Sequence, residues 1–294
     1  MPLNPDAVTA ILEEAAAQEI LPRFRALADH EVREKRSGDL VTVADEAAER
    51  YIERRLRDLL PGAQVIGEEA VEADPGLLDR LDDADLIWVI DPIDGTGNFA
   101  RGKPVFAVMV ALLRNRDTVG AWIHDPVGGR TAVAEEGSGA WLNGTRLQVA
   151  APAMPREMNG TLHAGTFAPP ALARQLQQRR DRVGAVKSLR CAGHEYLRLA
   201  RAETHFSLFT KLMPWDHAPG ALIHREAGGV ARTFDGADYA AHRIRAGGLM
   251  LAPDPSSWRA LHGVLLADTT QDRTLPRGLR GFTRLALACA VRSQ

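Results

Sequence analysis

The chain has 294 residues, of which 45% are hydrophobic and 25% charged, and its formal net charge is −2. This composition is typical of a globular protein with a sizeable core, and the length suggests one large domain or two lobes. The small net charge excludes a molecule-wide attraction to nucleic acid or to an anionic membrane. Cys191 and Cys289 lack CxxC spacing, so neither a thiolate zinc site nor a disulfide framework is indicated.

The first twenty residues do not have the pattern of a signal peptide, because acidic residues stand where a basic start is needed. No window of the sequence reaches the roughly 18 consecutive apolar residues of a membrane span. We therefore expect a cytoplasmic protein with neither a membrane nor a nucleic-acid partner.

Two helices are predicted near the N-terminus. Apolar residues recur at helical spacing between Asp6 and His30, with a kink or a second turn expected past Pro22. The polar stretch REKRSGD is predicted to be a loop. The following segment, ADEAAERYIERRLRDLLPG, has one apolar face and ends in a Pro-Gly stop, which indicates a second helix.

Six strand-like runs follow, separated by Asp, Gly and Pro turns. They are AQVIGEE, DLIWVIDP, VFAVMVALLRN, TVGAWIHDP, RTAVAEEGSGAWLNG and TRLQVA. Short turns join several of them, so we expect an antiparallel meander rather than repeated βαβ units. Trp88, Trp122 and Trp141 are expected in the core of this sheet.

The composition changes around APAMPREMNG, which marks the best candidate boundary between two lobes. Beyond it, helical runs alternate with short strands such as GTLHAG and HFSLF, giving a layered α and β architecture. We predict three parts: an N-terminal α+β lobe with most candidate ligands at 1–153, an α/β lobe that completes the site at 154–267, and a tail of uncertain structure at 268–294.

The clearest chemical signal is LIWVIDPIDGTGNF, in which an apolar strand ends in Asp91 and Asp94. Two carboxylates held close together raise each other's pKa unless a cation lies between them. Oxygen ligands without nearby Cys or His favour Mg²⁺ or Mn²⁺ over Zn²⁺. Gly95, Thr96 and Gly97 then offer backbone amides suited to an anion. The segment predicts a metal and phosphate site, although DG alone is more often a simple turn.

Four more acidic residues stand at the ends of predicted elements. Glu68 and Glu69 follow the strand AQVI, where a solvated face is the ordinary interpretation. Asp45 and Asp216 precede predicted helices, where an N-cap is the ordinary interpretation. Together with Asp91 and Asp94, however, they have one common explanation, which is metal binding.

The sequence resembles the inositol monophosphatase-like superfamily of magnesium-dependent, lithium-sensitive phosphatases. Four separated motifs, in the order of that superfamily, carry the resemblance: DLVTVAD, VIGEE, WVIDPIDGTGNF and PWDHAPGALIHREAGG. The resemblance implies a layered αβαβα sandwich with mixed, largely antiparallel sheets, and usually a homodimer. It also implies hydrolysis of a small phosphate ester with two or three Mg²⁺ ions.

The resemblance assigns roles residue by residue. Glu68, Asp91 and the Ile93 carbonyl would bind one metal ion, and Asp91, Asp94 and Asp216 would surround a second. A weaker third ion would use Glu68. The backbone amides of Gly95 and Thr96 would bind the phosphate, the Thr96 hydroxyl with Asp45 would orient and deprotonate the attacking water, and Glu69 would support the ligands.

The sequence departs from the superfamily around the expected alcohol-binding side. Gly97 stands where a larger residue is usual, and Phe209 stands about where inositol-specific members carry an acid. His194, His205 and Lys211 are candidate substrate contacts. These departures leave the substrate open among inositol phosphate, fructose 1,6-bisphosphate, a 3′(2′),5′-bisphosphate nucleotide and histidinol phosphate.

Two other classes of protein compete with this interpretation. A haloacid dehalogenase-like phosphotransferase has aspartates two residues apart, whereas Asp91 and Asp94 are three apart. A non-catalytic metal- or ligand-binding module on the same fold would keep the metal ligands without turnover. Nothing in the sequence removes a proposed ligand or the water-activating pair, so we favour the phosphatase.

Overall fold

A computed structural model describes residues 3–36, 39–83, 85–163, 168–244 and 247–267. The predicted tail at 268–294 lies outside the described residues. The predicted lobe bounds, 1–153 and 154–267, stay a prediction. Within the described part of the chain, no helix is long and apolar enough to cross a membrane.

The N-terminal part begins with the helix α1 (Pro5–Ala15), which continues as a π-helical turn over Ala16–Ile20 and a 3₁₀ turn over Leu21–Arg23. The chain then forms the strands β1 (Val32–Arg36) and β2 (Asp39–Thr42), which pair antiparallel. The prediction of a loop here was wrong for the described residues, because a charged segment can form paired strands without apolar periodicity. We call residues 32–36 and 39–42 the arm.

A seven-stranded sheet forms the centre of the molecule, in the order β3-β4-β5-β6-β7-β8-β9. The elements from the arm to the end of this sheet are α2 (Val43–Leu59), β3 (Gln64–Gly67), α3 (Glu68–Ala73), α4 (Arg80–Asp83), β4 (Leu86–Asp94), α5 (Thr96–Ala100), β5 (Ala107–Arg114), β6 (Asp117–Asp125), β7 (Arg130–Glu135), β8 (Gly139–Leu142) and β9 (Thr145–Arg146). Only the β3–β4 pair is parallel, so the predicted meander is confirmed from β4 onward.

A four-stranded sheet follows, in the order β10-β11-β13-β12. The elements of this part are β10 (Gly160–Leu162), α6 (Pro170–Gln178), α7 (Ala192–Ala200), β11 (Phe206–Phe209), α8 (Pro214–Glu226), β12 (Val230–Thr233), β13 (Leu249–Ala252) and α9 (Pro255–Leu265). Helix α8 begins four residues before the predicted start at Ala218, since Pro214 occupies its first position, where a missing N–H costs nothing.

Three hydrophobic clusters hold these elements in layers. The alternation along β4 sends Trp88 and Ile90 toward α1 and α2, and Ile87 and Val89 toward α7 and α8. The second face of α7 and α8 packs on the four-stranded sheet, whose far side meets α6 and α9. The result is a five-layer αβαβα arrangement, in which β4, α5, α7 and α8 meet at one edge.

Trp88 and Trp122 are buried and pack together with ring centroids 5.8 Å apart, as predicted. The same prediction was wrong for Trp141. This residue lies on β8, next to the edge strand β9, and is 39% exposed. The Arg146 guanidinium covers its ring, 5.6 Å from the centroid. An exposed indole of this kind cannot be separated from a core indole by strand pattern alone.

Candidate active site

Asp91 and Asp94, at the end of β4, line a cleft of about 560 Å³. Asp91 is buried, shares a hydrogen bond with Asp216, and leaves its Oδ1 atom without a hydrogen-bond partner among the described residues. Burial and the neighbouring carboxylates of Glu68 and Asp94 raise the pKa of Asp91 well above its usual range. This oxygen needs a cation or a proton to offset the cost of its burial.

Asp94 is held by donors from α7, almost a hundred residues later in the chain. Its carboxylate accepts hydrogen bonds from the amides of Ala192 (3.1 Å) and Gly193 (2.6 Å) and from the thiol of Cys191 (2.9 Å). Burial and the carboxylate of Asp216 nevertheless raise the pKa of Asp94 to about 7. The start of α7 therefore fixes the direction of this side chain and joins the two sheets at the site.

The Thr96 hydroxyl lies 3.1 Å from Asp45 Oδ1 and 2.9 Å from the Ile93 carbonyl. Asp45 is the third residue of α2, and its Oδ2 accepts from the Thr42 amide (2.8 Å) and hydroxyl (2.5 Å), forming a capping box with Thr42 as the N-cap. Burial raises the pKa of Asp45 to about 7. The interpretation of Asp45 as an N-cap was wrong, because Thr42 is the N-cap of α2. The Oδ1 atom of Asp45 instead accepts a hydrogen bond from the Thr96 hydroxyl.

A tight turn links β4 to this threonine. Gly95 has φ +88°, in the left-handed region, and a Cβ atom there would lie 3.0 Å from the Val105 carbonyl oxygen. Glycine is therefore required on both conformational and steric grounds. The turn brings Gly95 and Thr96 to the cleft beside Asp91 and Asp94.

Glu68 and Glu69 begin α3 and are bridged by Lys35 from the arm. The Lys35 ammonium lies 3.2 Å from Glu68 Oε1 and 2.7 Å from Glu69 Oε1. Burial raises the pKa of Glu69 to about 8, and the charge of Glu68 acts in the same direction. The Glu49 carboxylate of α2 accepts hydrogen bonds from the Glu69 and Ala70 amides at 2.8 and 2.9 Å, so it caps α3.

Asp216 lies in the first turn of α8, not at its N-cap, which is Met213. His217 beside it is buried and bonded at both ring nitrogens, to the Tyr196 hydroxyl (3.0 Å) and the Lys211 carbonyl (2.8 Å). Burial lowers the pKa of His217 to about 4, so this histidine is neutral. It supports the wall of the cleft and leaves Asp216 as the acidic group from this helix.

The structure brings most of the predicted residues to one cleft. Its lining includes Glu68, Asp91, Ile93, Asp94, Gly95, Thr96, Lys211 and Asp216. Asp45 reaches it through Thr96, and Glu69 lies beside it through Lys35. The roles assigned to these residues stay predictions.

Two predicted substrate contacts are not brought to the cleft. His194 lies with Nε2 3.1 Å from the Phe106 carbonyl, and His205 Nδ1 accepts from the Asn159 amide at 3.2 Å. Neither residue lines the cleft. One ring nitrogen of each histidine is bonded to a backbone group, a contact that sequence spacing does not reveal.

Sequence reasoning missed Lys35 and His163. Lys35 lies in the segment predicted to be a loop, and its charged neighbours favour an exposed side chain. In the structure that side chain is only 6% exposed. His163 lines the cleft beside Phe209, with ring centroids 4.8 Å apart. No local motif marks His163, which reaches the site because β10 and β11 are parallel neighbours.

The described residues contain no group of three or more His, Cys, Asp or Glu side chains already arranged to hold a metal ion. The donors themselves fit a hard cation such as Mg²⁺: they are oxygen atoms, Asp91 and Asp94 are buried, and the Asp91 Oδ1 atom has no hydrogen-bond partner among the described residues. Lys35 supplies part of the balancing charge to Glu68 and Glu69. Divalent cations at these carboxylates would relieve the repulsion that raises their pKa values.

Residues 4–273 match the model of the inositol monophosphatase family. The chain is 31% identical to fructose-1,6-bisphosphatase/inositol-1-monophosphatase of Thermotoga maritima, over 69% of this chain and 75% of that protein. It is 36% identical to the Nus factor SuhB of Pseudomonas aeruginosa, over 78% of this chain and 84% of that protein.

A solved structure of an IMPase of Thermotoga maritima superposes with a TM-score of 0.73 at 25% identity, covering 88% of this chain and 96% of that one. This likeness confirms the predicted layered fold with mixed, mostly antiparallel sheets. The match to the family model over nearly the whole chain confirms the resemblance drawn from the four motifs. The chain belongs to the inositol monophosphatase family.

Proposed function

We propose that this chain hydrolyses a small phosphate monoester in a Mg²⁺-dependent reaction, with water as the nucleophile and without a phosphorylated enzyme intermediate. The observation that carries the proposal is the Thr96–Asp45 hydrogen bond, 3.1 Å long, beside the buried Asp91 carboxylate with an unpaired oxygen. A proton-accepting pair next to a cation-demanding carboxylate is the combination that ester hydrolysis by water requires.

Glu68, Asp91, Asp94, Asp216 and the Ile93 carbonyl would hold the Mg²⁺ ions, two or three in number, with Mn²⁺ as the alternative. The bound cations supply positive charge that stabilises the transferring phosphoryl group. The amides of Gly95 and Thr96 would hold the phosphate oxygens in a fixed orientation. Positioning and charge neutralisation then provide most of the rate increase.

Asp45 and Thr96 would act on the attacking water. The Thr96 hydroxyl accepts a hydrogen bond from the water while it donates to Asp45 Oδ1, and Asp45 takes the proton that the water loses. The capping box holds Asp45 Oδ2 on Thr42, so Oδ1 stays directed at Thr96. Glu69 holds Lys35 at the edge of the cleft and supports Glu68 from outside.

The test is phosphate release from inositol 1-phosphate, fructose 1,6-bisphosphate, adenosine 3′,5′-bisphosphate and histidinol phosphate, with and without Mg²⁺ and with added Li⁺. Thr96→Val should reduce turnover by at least about a hundredfold, since it removes the group that orients the water. Thr145→Val, at an exposed position of β9, is the matched control and should keep full activity. Unchanged turnover in Thr96→Val would refute the assigned roles.

The alternative class is a non-catalytic metal- or ligand-binding module. Several relatives are named Nus factor SuhB, which is not the name of a phosphatase, so this class stays a candidate. Mg²⁺ binding measured by calorimetry, with no turnover of any ester in the panel, would favour that class over ours. A cytoplasmic homodimer without nucleic-acid or membrane partners also remains a prediction, testable by sedimentation and by binding assays.

A further inference from the structure

One side of the cleft is built from stacked rings. His163 stacks on Phe209 with centroids 4.8 Å apart and planes 21° apart, and Phe209 stacks on Tyr196 at 5.5 Å and 20°. Phe209 and Tyr196 are buried, whereas the His163 side chain keeps 28% exposure. We call these three residues the ring column, and His163 is its open end.

A buried carboxylate fixes the orientation of that end. Glu195 is fully buried and forms a short contact with His163 Nε2. Its other oxygen accepts from the Ser188 hydroxyl (3.1 Å) and the Leu189 amide (2.8 Å). One face of the imidazole stacks on Phe209 and its Nε2 atom contacts Glu195. A ligand can therefore contact the opposite face and the remaining edge of the ring.

Two hydroxyl groups and one imidazole on this wall, those of Ser188, Thr210 and His217, already bond within the protein. The Ser188 hydroxyl donates to Glu195, the Thr210 hydroxyl donates to the His163 carbonyl (2.9 Å), and both nitrogens of His217 are bonded. A neutral polyol needs hydrogen-bond partners for several hydroxyl groups, because each unpaired one costs free energy on burial. Among the described residues, this wall presents ring faces more than such partners, with Lys211 as its cationic side chain.

Cationic side chains complete the mouth of the cleft. Arg190 is exposed, lines the cleft and has φ +56°, in the left-handed region that residues with a Cβ atom rarely adopt. Arg101 also lines the cleft, and its Nη2 lies 2.8 Å from where a Cβ on Gly97 would stand. Within the described ranges, neither guanidinium has a hydrogen bond or an ion pair to the protein.

We propose that the alcohol part of the substrate is flat and anionic: the cleft selects a phosphate monoester that carries an aromatic or heteroaromatic ring and a second negatively charged group. The ring packs on the open end of the ring column, and the second anion pairs with Arg190 and Arg101. This inference rests on the proposed function, because it assumes that the cleft binds a phosphate monoester. It ranks a ring-bearing bisphosphate above inositol phosphate, although the family name favours the latter.

The experiment separates the two features with four esters. Adenosine 3′,5′-bisphosphate has both the ring and the second anion, adenosine 3′-monophosphate has the ring, fructose 1,6-bisphosphate has the anion, and inositol 1-phosphate has neither. The wild-type kcat/KM should be highest for the first and lowest for the last. A higher kcat/KM for inositol 1-phosphate than for adenosine 3′,5′-bisphosphate would overturn the inference while leaving the proposed hydrolysis intact.

Two variants test the residues. Arg190→Gly relieves the left-handed conformation and should lower kcat/KM about tenfold for adenosine 3′,5′-bisphosphate, the effect of losing one charged hydrogen bond, but leave adenosine 3′-monophosphate unaffected. His163→Gln should lower kcat/KM about threefold to tenfold for both adenosine esters and leave fructose 1,6-bisphosphate unaffected. The matched control is Arg116→Gly, another arginine at positive φ, outside the cleft. Equal losses for all four esters would contradict the assignment.

A binding measurement keeps the two proposals apart if no ester is hydrolysed. The affinities of adenosine 3′,5′-bisphosphate and inositol 1-phosphate are measured by calorimetry in Mg²⁺, so that the carboxylates of the cleft do not repel the phosphate group. Tighter binding of the nucleotide, weakened about tenfold by Arg190→Gly, would support the inference about recognition even though the proposed hydrolysis had failed. Equal affinity for both compounds would overturn the inference.

Discussion

The ammonium group of Lys35 lies 3.2 Å from Glu68, a carboxylate proposed to bind metal, although the two residues belong to the arm and to α3. Burial lowers the pKa of Lys35, but the Glu68 and Glu69 carboxylates raise it by more, so the amine stays charged. A protein cation therefore sits where divalent cations are proposed to bind. The arm and the metal ions are expected to compete for one set of oxygens.

Replacing Lys35 should make stability depend more strongly on Mg²⁺. Lys35→Met leaves Glu68 and Glu69 without their counter-charge, so the free energy of unfolding in EDTA should fall by about 1 to 3 kcal/mol. Saturating Mg²⁺ should restore most of this loss, because it supplies the missing charge. Thermal unfolding with and without Mg²⁺ measures both effects.

The control for that prediction lies on the same arm. Arg33 pairs with Glu46, but its side chain is 62% exposed, and exposed pairs contribute between about 0 and 1 kcal/mol. Arg33→Met should change stability little at any Mg²⁺ concentration. An equal loss in Lys35→Met with and without Mg²⁺ would show that the lysine does not compete with the metal.

Neutralising Asp91 should separate stability from metal binding. Asp91→Asn removes a buried charge that the carboxylates of Glu68 and Asp94 repel, so the melting temperature in EDTA should be equal to or higher than that of the wild type. Mg²⁺ should raise the melting temperature of the wild type and not that of the variant, and hydrolysis should be lost. A variant that keeps its full response to Mg²⁺ would remove Asp91 from the set of ligands.

The acidic motifs could be predicted because each lies at the end of an element that the sequence marks, whereas the pairing of Thr96 with Asp45 was implied only by the resemblance to the superfamily. Asp91 and Asp94 end an apolar strand, and Asp45 begins an amphipathic helix whose side chain has a defined capping geometry. The ends of neighbouring elements meet at the edge of a sheet, so their residues converge whatever the detail of packing. Local pattern was therefore sufficient for this part of the site.

The rest of the site depends on contacts that local pattern does not encode. The donors to Asp94 come from Cys191, Ala192 and Gly193, placed there by the packing of α7 against β5. Lys35 lies in a segment without apolar periodicity, and the buried Glu195 that orients His163 resembles any helical glutamate. Charged residues that are buried by long-range pairing have no signature in a single sequence.

Gly97 should be tolerant of substitution for folding but not for recognition. The three atoms nearest to a Cβ at this position belong to the Arg101 guanidinium, the far end of a flexible side chain, so Gly97→Ala should keep the free energy of unfolding within about 1 kcal/mol of the wild type. Displacement of the guanidinium should lower kcat/KM severalfold for bisphosphates. Gly263→Ala, in α9 with open space around its Cβ, is the matched control and should leave kcat/KM unchanged. Equal kinetics in both variants would show that Arg101 does not contact the substrate.

Stability should fall as the pH drops below neutrality because of buried histidines far from the cleft. His224 donates through Nε2 to the Ala252 carbonyl at 3.0 Å, its Nδ1 atom has no partner among the described residues, and burial lowers its pKa to about 4. The unfolded chain takes up a proton near pH 6.5, whereas the folded chain does so only near pH 4. The stabilisation is fully present above pH 6.5 and is lost as the pH falls toward 4.

That loss can be measured and assigned. The free energy of unfolding by urea should decrease by up to about 1.4 kcal/mol per pH unit for His224 between pH 6.5 and 4, and burial of His124, whose pKa is also lowered to about 4, adds to the slope. His224→Gln should reduce the slope by the contribution of one titrating group, up to about 1.4 kcal/mol per pH unit. A variant with the wild-type slope would show that His224 is protonated in the folded state.

The packing of α8 against the ring column gives the last prediction. A Cβ on Gly220 would overlap the ring of Tyr196, which is fully buried and stacks on Phe209. Overpacking of this kind costs about 1 to 3 kcal/mol, since the ring must shift or the helix must move. Gly220→Ala should therefore lower the free energy of unfolding by that amount.

Because any shift of Tyr196 is transmitted through Phe209 to His163, kcat/KM should also fall more for adenosine 3′,5′-bisphosphate than for inositol 1-phosphate. Unfolding curves and the four-ester assay on the same preparation distinguish the outcomes: a loss of stability with unchanged selectivity would mean that the ring column does not determine how the substrate is recognised.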